Sequence, residues 1–178
     1  MVILLDNKKN IMQPGTKELG VITPQALLEH WQGHRRVTRR VIEAFPEKAF
    51  LTYSIGGMRP FADMVMEFIG LAHSGIIGVA TGKWAKENEL EYHTKTPKRR
   101  NQKEILQLWD DLTTLIKTLW VQIPPQRFEE VDTAFGEYEG EICGLILYWI
   151  DNEIHHRGQG YVYLRSLGIE PPPFWDRH

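Results

Sequence analysis

Sulfur chemistry is nearly absent from this sequence. One cysteine, Cys143, stands among 178 residues, so no internal disulfide can form and a reducing compartment fits best. No basic excess exists either. The 21 Lys+Arg face 23 Asp+Glu, for a net charge of -2, which argues against a binder of the nucleic-acid backbone. The opening apolar run stops at Leu5, with Asp6 and Lys8-Lys9 directly behind it. That is too short for a secretory signal or a membrane span. The expectation is a cytoplasmic protein whose partners are neither membrane nor nucleic acid. There is no internal repeat and no low-complexity block, and strand signals are scarce.

Helical periodicity fills most of what remains. Residues 1–21 form an irregular extension with a turn at Pro14-Gly15. Thr23-Pro24 reads as an N-cap followed by proline at the first helical position. The first helix runs from there to Ala44, with Leu27, Leu28, Trp31, Val41 and Phe45 inward and Arg35, Arg36, Arg39 and Arg40 outward. Ala49 to Ile55 reads as an extended connector or brief strand. A second helix begins at Pro60, is apolar almost all round through Val79 and so should be buried. Glu87 to Arg100 is a charged loop. A third helix spans Asn101 to Val121. The fourth runs from Tyr138 to Leu167, capped by Gly168. The triple proline Pro171-Pro172-Pro173 then forces an extended tail, with Phe174 and Trp175 packing back on the body. The fold class is all-α, a four-helix bundle in one domain of residues 1–178, with its core from about 24 to 173.

Two places break the apolar pattern. In the fourth helix the stripe Ile142, Leu145, Ile146 and Trp149 resumes at Tyr163 and Leu167. Carried through the intervening Ile150–Gln159 stretch, it lands on Asn152 and His156. These are four apart and share one helical face. They read either as metal ligands completed from a facing helix or as a buried hydrogen-bonded pair. Asp151 and His155 have the same spacing but project about 100° away, where His155 would serve as a supporting or interface residue. In the second helix Glu67 is the lone ionisable side chain between Asp63 and His73. A carboxylate there needs a cation, an arginine such as Arg157, or a raised pKa. Asp63, Gly70 and Ser74 on its face leave room for a site. His73 falls with Met66, Ile69 and Ile77, as a core or interface histidine.

Other candidates are weaker. His30 and His34 have ligand spacing, but the surrounding arginines point to a solvated face. Lys95, Lys98, Arg99, Arg100 and Lys103 read as a solvated loop; Tyr92 is the one aromatic near them. Gly158 and Gly160 match no phosphate-cradling pattern. Cys143 has no nearby base to make it a nucleophile.

The run His155-His156-Arg157-Gly158-Gln159, followed by Tyr163 to Ile169 and Pro171-Pro172, resembles the end of the DinB/YfiT-like family. The likeness extends from about Pro24 to Pro173. Members of that family are damage-inducible four-helix bundles that hold one divalent metal, often nickel or zinc, through three histidines. One lies on the second helix, and two lie four apart on the fourth. The resemblance maps these positions onto Glu67, Asn152 and His156, with His73 as the alternative if the register slips. Two of the three therefore depart from the family's histidines. A Glu–Asn–His set is harder than three imidazoles and would suit nickel, zinc or manganese with waters.

Two functions follow from the resemblance. One is a metal-dependent transferase of a low-molecular-weight thiol, or a hydrolase, acting on a small-molecule substrate, with Arg157 or His155 orienting ligands. The other is a non-enzymatic stress-inducible binding protein with a metal-free site, marked by a hydrogen-bonded cluster in place of the ligands. The resemblance also implies a homodimer.

Overall fold

The computed structural model describes residues 21–90 and 100–178. The turn at Pro14-Gly15 and the basic-loop residues Tyr92, Lys95, Lys98 and Arg99 lie outside them.

Four long helices carry the fold: α1 Pro24–Ala44, α3 Phe61–Thr81, α4 Gln102–Trp120 and α5 Ile142–Ser166, with a short α2 at Glu47–Thr52. Their ends follow local chemistry. The Thr23 hydroxyl accepts from the Ala26 amide, with Pro24 opening α1,. Asn101 and Glu104 form a reciprocal capping box at α4,. Gly168, at φ 76, lets Ile169 N–H reach the Leu164 carbonyl at 2.9 Å, which closes α5 in a Schellman turn.

The helix α1 packs on α4 and α5, and α3 packs on the same two. Trp31, Trp109, Phe61, Ile76, Ile116 and Tyr163 lie almost wholly out of solvent between them, each worth roughly 1.5–3 kcal/mol of burial. This is the four-helix bundle the periodicity predicts. Among the described residues α3 is the one helix long and apolar enough to cross a bilayer, and half of that stretch is buried within the bundle.

Several local expectations need correction. Ala49 to Ile55 is neither strand nor extended connector, because α2 occupies most of it and buries Phe50 against Phe45 and Phe61. Tyr138 does not start the last helix. Tyr138–Glu141 is strand β2, paired antiparallel with β1 Val131–Ala134. The connecting turn places Phe135 at φ 58 and Gly136 at φ 78, two left-handed residues whose twist suits a tight hairpin. That conformation is costly for a bulky residue, on the order of 1–3 kcal/mol. Phe135 is nonetheless held, 3% exposed, beside Trp84 and Trp149.

Arg35 is not on an outer face. It is 1% exposed, lies 3.8 Å over the Trp109 ring and bonds to Thr113 and the Trp109 carbonyl. His34 is likewise buried. Nor is α3 buried on every side, since His73 and Asp63 are exposed and Met66, Leu71 and Ile77 are half-buried. The tail is held by polar contacts rather than by its aromatics. Tyr161 donates to the Pro172 carbonyl at 2.7 Å and Arg40 pairs with Asp176 at 2.8 Å, while Phe174 and Trp175 are exposed.

Candidate functional site

Glu67, in the second turn of α3, faces the middle of α5, and the structure brings it together with Asn152 and His156. The Asn152 amide donates to Glu67 Oε1 at 3.1 Å. His156 Nε2 stands 3.6 Å from the same oxygen, an ion-pair distance rather than a hydrogen bond. The other oxygen, Oε2, accepts from Arg59 Nη2 at 2.6 Å. His156 Nδ1 is bonded to Gln159 Oε1 at 2.6 Å, and its ring stacks on Phe68. Since Gln159 offers an oxygen, Nδ1 carries the proton, and Nε2 is the atom whose state responds to Glu67.

The electrostatics agree with that geometry. Burial pushes the Glu67 carboxyl up, but His156, Arg59 and Asn152 outweigh it and hold the group down at about 2. The Glu67 carboxylate in turn raises His156, against an opposing effect of burial. At neutral pH the cluster is an ionised carboxylate surrounded by donors.

The remaining candidates sit elsewhere. His155 is exposed and meets His156 edge-on. His73 is exposed, outside the cluster, so it is not a core residue. Arg157 does not reach Glu67. It is buried at 4% exposure, donates to the His34 carbonyl and to Thr38 Oγ1, both at 3.0 Å, and lies 3.7 Å from Glu153. Glu153 accepts from Thr38 at 2.5 Å, and burial raises its pKa against the pull of Arg35. The buried stripe of α5 therefore passes through Glu153 and Arg157, while Asn152 and His156 lie half-buried at its margin. His34, pushed to about 3 by burial and by Arg157, is neutral inside this structural network. Burial likewise raises the Cys143 thiol, in keeping with an unreactive cysteine.

Glu153, Arg59 and Gln159 were missed as candidates. A phase shift of one residue in the α5 stripe would have found Glu153. Gln159 is three residues from His156, the spacing of helical neighbours. No periodicity marks Arg59, which precedes the helix that carries its partner.

A cleft of about 650 Å³ begins at Arg59, Glu67 and Asn152 and runs between α3 and α5 to the hairpin. Leu71, Tyr148 and Trp149 line it midway, and Phe135, Tyr138 and Glu139 close its far end. Its volume is that of a small-molecule pocket.

The donor set, as arranged, does not fit a divalent cation. Asn152 presents its N–H to Glu67, and its Oδ1 is buried without a partner. A guanidinium already holds the second carboxylate oxygen, so an incoming cation would face like charge. Among the described residues no third His, Cys, Asp or Glu side chain joins Glu67 and His156, so the Asn152 amide would have to complete any ligand set.

The DinB family model matches residues 12–177. No curated protein matches the chain. Two solved structures share the fold, at 16% identity and a TM-score of 0.66 each. A DinB-like protein from Bacillus subtilis is matched over 85% of this chain and 99% of its own. A DinB-like protein from Bacillus cereus is matched over 84% and 95%.

Proposed function

The chain belongs to the DinB family, and we propose that it is a small-molecule-binding member whose Glu67–Asn152–His156 cluster works without a metal. The saturated Glu67 carboxylate carries this reading. Both its oxygens are engaged, by Arg59 on one side and by Asn152 and His156 on the other. Positive charge and proton donors thus supply what a cation would otherwise give a carboxylate in a partly buried site. Metal-dependent thiol transfer or hydrolysis needs three donors turned inward around an open coordination position. Here the amide is turned the other way.

In use, Arg59, Glu67 and Asn152 form the polar end of the cleft and Trp149 and Leu71 the apolar body, the usual division in ligand pockets. His156, its pKa raised by Glu67, stands 3.6 Å from Glu67 Oε1 and supports the carboxylate that lines the cleft.

Elemental analysis of untagged protein, after exposure to zinc, nickel and manganese and then dialysis, tests the metal-free assignment. Retained metal is expected to be far below one equivalent, in wild type and His156→Ala alike. Near-stoichiometric metal lost in His156→Ala would overturn it. Binding is tested by titrating tryptophan fluorescence with 4-phenylbutanol. Gly144→Leu should abolish the response by filling the cleft, because a Cβ at Gly144 meets nothing within 4 Å.

A further inference from the structure

Resting on the binding reading above, we propose that the cleft takes an organic cation, an amine or quaternary ammonium on an aromatic or aliphatic body. The charge balance of the lining points that way. Three carboxylates line it, on Glu67, Glu139 and Glu141, against one cation, Arg59. Arg59 pairs with Glu67 at 2.6 Å, so their charges offset and Glu139 and Glu141 set the sign of the rest of the lining. Glu139 and Glu141 are exposed, and neither carboxylate has a salt-bridge or hydrogen-bond partner among the described residues.

The walls add a second argument. Tyr148 and Tyr138 show 61% and 49% of their surface to solvent while lining the cleft, and Trp149 and Phe135 close it from behind. Aromatic faces attract cations through the ring quadrupole, most strongly where water is thin. Phe135, in a left-handed conformation and packed on Trp84 and Trp149, backs this aromatic wall.

One feature of the cleft pulls the other way. The N-terminus of α5 opens on it, and a helix N-terminus favours anions. Part of that end is already taken, since the Ile142 amide is bonded to the Glu130 carbonyl at 2.9 Å, and the Glu141 carboxylate, at the N-cap position with no capping hydrogen bond, repels an anion there.

Three probes of one shape separate the alternatives: 4-phenylbutylammonium, 4-phenylbutanol and 4-phenylbutyrate, titrated calorimetrically into the full chain at low salt. The ammonium should bind roughly tenfold tighter than the alcohol, in line with charge and ring attraction combined. The carboxylate should bind weakest. The preference should shrink in added salt and vanish in the Glu139→Gln/Glu141→Gln variant, whose exposed positions spare the fold. Equal binding of ammonium and alcohol, or tighter binding of the carboxylate, overturns the cation assignment while leaving the pocket intact. Failure of all three probes, or binding unaffected by Gly144→Leu, overturns the binding reading itself.

Discussion

Replacing Glu67 by Gln keeps the shape of the side chain and removes its charge, so it isolates what the carboxylate does. In the wild type this group is held at about 2 against an ordinary 4.5, a difference worth about 3 kcal/mol at 1.36 kcal/mol per unit. Arg59 is 48% exposed, so screening reduces that to about 2 kcal/mol. A depressed carboxylate contributes stability that is full above pH 4.5 and is lost as pH falls toward 2. His156 is shifted the other way. Its contribution is full below pH 6.5 and is lost as pH rises through its elevated value,. Both shifts report one interaction and are not added. The stabilisation is therefore greatest between about pH 4.5 and 6.5, and Glu67→Gln should cost about 2 kcal/mol there and little near pH 2. Urea unfolding across this range measures the cost, and histidine NMR follows His156, whose midpoint should drop in the variant. An equal penalty at pH 2.5 and 5.5, or an unmoved His156 midpoint, would refute the coupling.

Two further variants test the frame around the site. Arg157→Leu removes the cation 3.7 Å from Glu153 and the donor to the His34 carbonyl, leaving Glu153 with Thr38 and the pull of Arg35. It should cost about 3 kcal/mol, or on the order of 10 °C in Tm for a chain of this size. Probe binding by the folded protein should be unchanged, and a variant with normal stability but lost binding would return Arg157 to the site. Gly75→Ala places a methyl 2.5 Å from the Trp149 ring and should destabilise by about 1–3 kcal/mol through overpacking. Changed near-ultraviolet dichroism should accompany the loss, and an unperturbed spectrum would show that Trp149 has room to move.

The frame was legible because its signals are local. Thr23-Pro24, Asn101 with Glu104, and Gly168 are cap chemistries that act within one turn, and the structure puts helix ends at each. The hairpin was missed for the same reason in reverse. Its strands are four residues long and its turn carries Phe135 where Asn or Asp would be usual, so only the packing of Phe135 against Trp84 and Trp149 makes it form. Charge alone points Arg35 and His34 to solvent. The Trp109 ring and the Arg157 guanidinium that make their burial tolerable come from helices far away in sequence.

The site itself divides along the same line. Glu67, Asn152 and His156 stood out as polar residues in apolar helices, and that anomaly is local. What the anomaly means depends on a group beyond the reach of helical spacing. Arg157, the arginine of the most distinctive run in the chain, was the natural partner for Glu67 by sequence, yet it serves Glu153 and α1. The arginine that neutralises Glu67 is Arg59, outside α3 and next to the proline that starts it. Its position explains why two of three expected histidines can be absent without leaving a bare carboxylate between helices. A Glu at this point needs a metal, an arginine or a proton, and a guanidinium stands 2.6 Å away. Arg59→Met is then the change that should restore an appetite for divalent cations, because it frees Glu67 Oε2 and removes the competing charge. Zinc affinity rising in that variant, and falling again when His156→Ala is added, would show that the guanidinium occupies the place of a cation beside Glu67.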